Sequence, residues 1–384
     1  MPINKTESIL IRLSILHFNM TIREITEYIE SIAPLSLQES YDNAGLIIGD
    51  KNEETNGVLL CIDITEKVLN EAIEKKCKLV ISHHPLIFKG VKKINGKNFV
   101  EKLIIKAIKN DIAIYAAHTN IDNIINGVNS IIAEKLGLKN IKILSPKKDI
   151  LKKLVTFCPL SHAEIVRKAL FDSGAGNIGN YDSCSYNTEG KGTFRALDNA
   201  NPFVGKLNEL HYEEEIRIEI IYPSYLENKI LEALFSSHPY EEVAYDLIPL
   251  QNKSLDIGSG IIGELENEVN TEDFLLRLKD ITQTKCIRHT KIIKNKIKKI
   301  AFCGGSGSFL IGDSIAAGAD IMVTGDIKYH DFFEADNKII LADIGHYESE
   351  QYTKDLLSAL LIKKFPNFAV FISDINTNPI FYIK

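Results

Sequence analysis

The sequence predicts an α/β protein with a separate α+β segment inserted into its middle. Short apolar runs rich in β-branched residues, such as residues 79–81, alternate with helical stretches, as in parallel sheets covered by helices. Polar segments containing histidine follow several of these runs. Between residues 151 and 250 the order of elements changes, which indicates a different architecture there.

The first helix is expected to begin just after Met20, with Thr21 as its N-cap and an apolar spacing behind it. Residues 9–18 are fairly apolar, but Arg12 interrupts them and no small-residue cleavage site follows, which argues against a signal peptide. We expect residues 1–19 to be an N-terminal extension that is poorly ordered or peripheral.

The strand predicted at residues 79–81 leads directly into His83 and His84. Pro85 follows and prevents simple continuation of a β-ladder. Both imidazoles are therefore expected at the carboxyl end of a strand, where open α/β sheets bind ligands.

The same pattern occurs twice more. The apolar run 111–117 is followed by His118 and Asp122, ahead of a helix predicted over 128–136. The run 338–342 is followed by His346 and Glu350, which share a helix face because they are one turn apart.

Four imidazoles and two carboxylates exceed the ligand set of one tetrahedral zinc site and suit two divalent ions with open positions for water. Nitrogen and oxygen ligands favour zinc, manganese, iron(II) or cobalt, and the sequence does not choose among them. A single histidine after a strand is better explained as a surface or hydrogen-bonded residue, and it is the joint pattern at three strand ends that favours a metal site. The predicted metal ligands are His83, His84, His118, Asp122, His346 and Glu350.

Three further residues are candidates for proton transfer. Asp326 follows a strand predicted at 320–323, and His330 lies close by, where it could meet an anionic substrate. Asp42 precedes Asn43 and could lie beside the metals or close an Asx turn.

The glycine-rich segment 304–308 lies between a strand and a helical run, where it either receives a phosphate or forms a tight turn.

The middle of the chain predicts a split βαβ, ferredoxin-like unit. Its expected strands are 153–158, 216–222 and 243–250, its helices are 162–173 and 225–236, and an irregular stretch rich in Gly, Asn, Asp and Ser separates the two halves. Because predicted metal ligands lie on both sides of this segment, it is expected to be an excursion from the domain that binds metal.

Composition excludes several classes of protein. A net charge of −6 argues against a dedicated nucleic-acid binder. No stretch approaches the roughly 20 apolar residues of a membrane helix. The six cysteines show no C-x-x-C spacing and predict reduced, mostly buried thiols of a cytoplasmic protein.

Six stretches carry a recognisable pattern in this order along the chain: residues 39–46 (ESYDNAGL), 82–88 (SHHPLIF), 118–122 (HTNID), 304–307 (GGSG), 324–330 (TGDIKYH) and 345–350 (GHYESE). Together they resemble the Nif3-like (DUF34) dinuclear metal-centre family, whose members carry the label GTP cyclohydrolase 1 type 2 homolog. Tyr41 departs from the family pattern, in which a tryptophan is common.

The resemblance implies a two-lobed α/β core with a two-metal site in the cleft between the lobes, a PII/CutA-like insert and a toroidal homohexamer. Its motif positions carry over as ligands onto the same six residues. The implied domains are an extension (1–19), a first lobe (20–150), the insert (151–255) and a second lobe (256–384).

Metal-assisted hydrolysis of a nucleotide-like substrate is the leading hypothesis for function, as a GTP cyclohydrolase if the family label holds. The alternative is a metal-binding regulatory or metal-trafficking protein without turnover. A nucleic-acid-associated ring ranks last because of the negative charge.

Overall fold

The computed structural model describes residues 19–383 and has a mixed α/β fold, which confirms the predicted fold class. The prediction for the extension before Asn19 lies outside the described residues. The chain divides into two compact units. Among the described residues, the first contains 19–121 together with 347–383, and the second is Asp122–His346.

The strands of the described residues are β1 (Met20–Thr21), β2 (Gly45–Ile48), β3 (Glu54–Thr55), β4 (Gly57–Cys61), β5 (Leu79–Ser82), β6 (Ala113–Ala116), β7 (Lys139–Pro146), β8 (Leu151–Pro159), β9 (Tyr186–Arg195), β10 (Leu210–Pro223), β11 (Tyr245–Pro249), β12 (Gly258–Asn270), β13 (Arg288–His289), β14 (Lys296–Ser306), β15 (Ile321–Gly325), β16 (Ile340–Asp343) and β17 (Ala369–Ile372). The α-helices are α1 (Ile22–Ile32), α2 (Glu66–Glu74), α3 (Phe99–Lys109), α4 (Thr119–Asp122), α5 (Val128–Lys135), α6 (Ala163–Asp172), α7 (Glu227–Ser237), α8 (Thr271–Thr282), α9 (Ile311–Ala316), α10 (His346–Glu350) and α11 (Thr353–Lys364).

The first unit is built on a five-stranded sheet in the order β17-β4-β5-β6-β2. All neighbours are parallel except β2, which pairs antiparallel with β6 at one edge. Strands β4, β5 and β6 are completely buried, which explains their continuous apolar sequences. Helices α2 and α3 contribute to the core on one face of this sheet.

Helix α1 begins as predicted, with Thr21 at its N-cap. The Thr21 hydroxyl accepts a hydrogen bond from the backbone N–H of Glu24 at 3.2 Å, and the Glu24 carboxylate accepts one from the backbone N–H of Thr21 at 2.8 Å. This capping box satisfies two N–H groups that the helix itself cannot pair.

The second unit contains a six-stranded sheet in the order β13-β16-β15-β14-β12-β7. Strands β14, β15 and β16 run parallel, and the other pairs are antiparallel. The predicted domain boundaries at 150 and 255 fall in the loops after β7 and before β12. Because β7 and β12 are paired neighbours, the segment between them leaves and re-enters the sheet at adjacent positions.

That segment forms a second, four-stranded antiparallel sheet in the order β11-β8-β10-β9. The chain order is β-α-β-β-α-β, the order of a ferredoxin-like unit. Apolar residues of β8, β10, α6 and α7 form a shared core. The prediction of an irregular stretch between the two halves is wrong at β9, a strand of 10 residues.

Candidate metal centre

Three neighbouring parallel strands of the first unit end at the same level and carry the candidate site. Ser82 of β5 is in register with Cys61 of β4 and with Ala116 of β6. Backbone hydrogen bonds continue past the strands, from the His83 N–H to the Cys61 carbonyl (3.1 Å) and from the His84 N–H to the Ile62 carbonyl (3.0 Å). Polar side chains that follow these strands are therefore brought to one edge of the sheet.

His83 is fully buried, and its ring is held by the backbone. Its Nδ1 lies 2.8 Å from the carbonyl oxygen of Ala117, which follows β6. Because a carbonyl can only accept a hydrogen bond, Nδ1 carries a proton, and in the neutral form of the ring the lone pair is on Nε2. Nε2 lies 3.5 Å from a carboxylate oxygen of Glu350.

His84 lies between two carboxylates. Its Nδ1 is 2.7 Å from Oδ1 of Asp63, which follows β4, and its Nε2 is 3.0 Å from Oε2 of Glu350. Burial lowers the pKa of His84, but the hydrogen bonds and charges of Asp63 and Glu350 outweigh it and raise the pKa to about 9. The two carboxylates therefore favour the positively charged form of the His84 ring.

His118 is held in the same way by Asp42. The Nδ1 of His118 lies 2.7 Å from Asp42 Oδ1, and the backbone N–H of Thr119 donates to Asp42 Oδ2 at 3.0 Å. The Thr119 hydroxyl also donates to Oδ2. Burial raises the pKa of Asp42, but hydrogen bonds from His118 and Thr119 outweigh it and lower the pKa to about 2. Asp42 is therefore an ionised acceptor at neutral pH.

The three imidazoles converge. One ligand atom from each of His83, His84 and His118 lies within 4.8 Å of the others, and their ring centroids are 5.0 to 5.5 Å apart. Glu350 is buried and adds a carboxylate oxygen close to two of them. Such a set of nitrogen and oxygen atoms is suited to hold a divalent metal ion.

Asp122 and His346 belong to the second unit, and each is joined through a short helix to a residue of the first. Asp122 ends α4, four residues after His118. His346 begins α10, four residues before Glu350, and its Nδ1 lies 2.7 Å from Asp326 Oδ2.

Glycine at position 325 is required for the turn that carries His346. A Cβ atom there would lie 2.8 Å from the backbone nitrogen of His346 and 2.9 Å from Gly345. Asp326 follows with a left-handed φ of 55°.

The other predicted proton-transfer residues of the second unit are exposed. Asp326 is exposed and bonds to His346, as described above. His330 is exposed and packs edge-on against Tyr329, with ring centroids 5.2 Å apart.

The glycine-rich loop at 304–308 has two N–H groups bonded to side chains of the protein. The Gly304 N–H donates to the side chain of Asn129 at 2.8 Å, and the Gly307 N–H donates to the Thr324 hydroxyl at 2.9 Å. This favours a tight turn over a phosphate-binding loop.

Sequence reasoning missed two carboxylates that hold residues or backbone of the candidate site in place. Asp63 orients His84 and also accepts a hydrogen bond from the Thr377 hydroxyl at 2.6 Å. Asp343 is buried at the end of β16 and accepts from the backbone N–H groups of Ile327 (3.0 Å) and Gly345 (2.9 Å). Both follow or end apolar strands, so the signal that identified the histidines also marks their positions, although it does not reveal their partners.

Comparison with known proteins supports the resemblance. A family model described as Duf34/NIF3 (NGG1p interacting factor 3) matches residues 20–379. A Bacillus subtilis (strain 168) protein named GTP cyclohydrolase 1 type 2 homolog is 38% identical over 367 residues, which cover 94% of this chain and 98% of that protein.

Two solved structures are also similar. A Bacillus cereus protein related to NIF3 is 40% identical with a TM-score of 0.84, covering 95% of this chain and 99% of that one. A Staphylococcus aureus protein is 36% identical with a TM-score of 0.76 and the same coverage. No helix among the described residues is long and apolar enough to cross a membrane.

Proposed function

We propose that this chain, which belongs to the Duf34/NIF3 family, binds two divalent metal ions and uses them to hydrolyse a nucleotide-like substrate. The observation that carries the proposal is the convergence of His83, His84 and His118 next to the buried Glu350. Imidazole nitrogens and carboxylate oxygens are the ligands that zinc, manganese, iron(II) and cobalt take in proteins.

The residues fit a divalent ion by the chemistry of their donors. Each of the three imidazoles has its Nδ1 bonded to an oxygen of the protein, namely the Ala117 carbonyl, Asp63 or Asp42. Metal-binding histidines are almost always held in this way, because the outer partner fixes the tautomer and makes the other nitrogen a better ligand.

Asp122 and His346 are proposed as the remaining ligands because of their positions in the chain. Each lies four residues from a member of the cluster, His118 or Glu350, and joins it through one short helix. The His346 ring has its Nδ1 bonded to Asp326, the arrangement found for the other histidines. With them the set has six ligands, enough for two ions with open positions.

Two divalent ions would lower the pKa of a bound water toward about 7 and would polarise the substrate. The chain's own residues would supply orientation and proton transfer. Both Asp42 oxygens accept hydrogen bonds at His118 and Thr119, so we assign Asp42 to positioning His118 instead of moving protons. Asp326 is assigned in the same way to His346, which leaves the exposed His330 as the candidate for proton transfer.

The name of the relatives suggests the substrate class. A GTP cyclohydrolase adds water to the purine ring, so GTP is the first substrate to test, followed by other purine and pyrimidine nucleoside triphosphates.

The experiment is hydrolysis of a nucleotide panel by full-length protein loaded separately with zinc, manganese, iron(II) or cobalt. The test variant is Glu350→Gln. The matched control is Glu348→Gln on the same helix, because Glu348 bonds to Asn378 and glutamine can keep that hydrogen bond. We expect turnover in the wild type and in the control, and its loss together with metal in Glu350→Gln.

Metal bound at full occupancy with no turnover on any nucleotide would contradict the hydrolase and favour a regulatory or metal-trafficking protein. The family resemblance also leads us to propose a homohexamer. Light scattering should then give a mass of six 43.1 kDa chains, and a monomer would overturn that assignment.

A further inference from the structure

The four-stranded sheet of the second unit has a cavity of about 630 Å³ that the metal chemistry does not use. Alternate residues of β10, including Ile218 and Ile220, face the core shared with helices α6 and α7. Glu215 and Arg217 point to the other face, where they line the cavity. The cavity therefore lies on the sheet face opposite the two helices.

The floor of the cavity is a buried carboxylate. Glu215 is only 9% exposed, and its Oε1 accepts a hydrogen bond from the Tyr240 hydroxyl at 2.9 Å. Gly190 pairs with Glu215 across β9 and β10, and a Cβ added at Gly190 would meet open space. A side chain at Gly192 would collide with the Glu215 carboxylate. The two glycines therefore keep the space above the carboxylate open.

The walls of the cavity are aromatic. Phe194 and Phe203 both lie near Tyr240, with ring centroids 6.2 and 6.3 Å from it. The ring planes are inclined by 58° and 50°, so the three rings form a cage and not a flat stack. Phe157 adds a fourth ring to the lining.

The charged residues of the lining are predominantly acidic. Glu241 and Glu242 join Glu215. Glu189 and Lys191 also border the cavity, but they pair with Ile216 and Glu214, whose side chains face the helices. Of the two basic residues, Arg217 is paired with Glu219 at 3.0 Å.

We infer that this cavity binds an organic ammonium cation, held by the aromatic cage and by the Glu215 carboxylate. Aromatic faces attract cations through their quadrupoles, and cages of such rings are used to bind alkylammonium groups. An anion would be repelled by the buried carboxylate, and a neutral apolar ligand would leave that carboxylate without a charge partner in an apolar site. All these residues lie between 157 and 244, so the inference is independent of the proposed hydrolase.

The test is calorimetric titration of full-length protein with choline and with 3,3-dimethyl-1-butanol, its neutral isostere. We expect choline to bind at least about tenfold more tightly than the alcohol, because only choline gains the cation–π and carboxylate interactions. Tyr240→Leu and Glu215→Gln should each weaken choline binding by about 5- to 10-fold. Glu214→Gln is the matched control, because Glu214 is exposed and its side chain points to the opposite sheet face.

Glu215→Gln preserves an acceptor for Tyr240, and circular dichroism verifies that each variant is folded. Equal affinity for choline and the alcohol, or choline binding unchanged in both variants, would overturn the inference. The absence of choline binding would also overturn it. If Phe194→Ser then changed the oligomeric state, this face would be a contact between copies of the chain.

Discussion

The two units each contain a carboxylate–histidine pair built by the same rule but set at different depths. In the first unit Asp63 follows β4 and binds His84, which follows the neighbouring parallel strand β5. In the second unit Asp326 follows β15 and binds His346, which follows the neighbouring parallel strand β16. Both pairs have a separation of 2.7 Å between Nδ1 and the carboxylate oxygen.

The surroundings of the two pairs differ. Asp63 also accepts a hydrogen bond from Thr377, and His84 bonds to the buried Glu350 on its other side. The Asp326 side chain is 49% exposed. The Asp63 side chain is less exposed, at 34%. Parallel strand ends therefore suffice to bring a carboxylate to a histidine, whereas the exposure of the carboxylate differs between the two pairs.

Loss of the shared carboxylate should have the largest effect. Glu350→Gln removes the charge next to Nε2 of both His83 and His84. Loss of a residue that only hydrogen-bonds to a metal ligand typically lowers metal affinity by about 10- to 100-fold, and the loss of Glu350 should lower it by more than that. Competition with a chelator of known affinity measures the change. Affinity within a factor of about two of wild type would show that Glu350 is not a ligand.

Asp63→Asn should weaken metal binding by about 10- to 100-fold, because the His84 ring loses its ionised partner. The control is Asp374→Asn, whose side chain is 91% exposed and whose charge partner is Lys75. The same chelator competition measures the metal affinity. Equal affinities for the two variants would show that Asp63 does not support metal binding.

Asp326→Asn should have a smaller effect, about tenfold or less, because this carboxylate is half exposed and water can replace it. Asp331→Asn, nearby in sequence, is the control and should leave affinity unchanged. If Asp326→Asn were as damaging as Asp63→Asn, burial would not be what distinguishes the two pairs.

Asp320 precedes β15, at the opposite end from Asp326, and should affect stability without affecting metal. Its carboxylate accepts hydrogen bonds from Lys294 (2.5 Å) and from the backbone N–H groups of Lys298 (2.7 Å) and Lys299 (2.9 Å). Burial raises the pKa of Asp320, but these hydrogen bonds outweigh it and lower the pKa. Asp320→Asn should therefore reduce the free energy of unfolding by about 1–2 kcal/mol at pH 7.

The sign of the pH dependence follows from that lowered pKa. The stabilisation by Asp320 is fully present above the ordinary aspartate pKa of about 4 and is lost as the pH falls through the lower folded value. Urea unfolding at pH 7, 5 and 3.5 should give similar differences between wild type and variant at the first two values and a smaller one at the third. A difference that grew on acidification would contradict this assignment.

Much of the site could be predicted from sequence, because apolar runs with polar ends mark parallel strands directly. The runs before His83, His118 and His346 are the strands β5, β6 and β16. Asp63 was missed because a single carboxylate after an apolar run is common, and only the register of β4 with β5 makes it the partner of His84.

Strand β9 could not be predicted from the sequence. Tyr186–Arg195 has two glycines and is mostly exposed, so it lacks the buried alternating face that identifies a strand in a sequence. It is a strand because it pairs along its whole length with β10. Long-range pairing of this kind is not encoded in local pattern.

The existence of the metal centre is tested by the metal content of the purified full-length protein, determined by elemental analysis. The wild type is compared with His84→Ala and with the control His289→Ala, which replaces an exposed histidine of β13. We predict about two divalent ions per chain in the wild type and the control, and loss of bound metal in His84→Ala. Metal content unchanged by His84→Ala would contradict a metal centre at the ends of β4, β5 and β6.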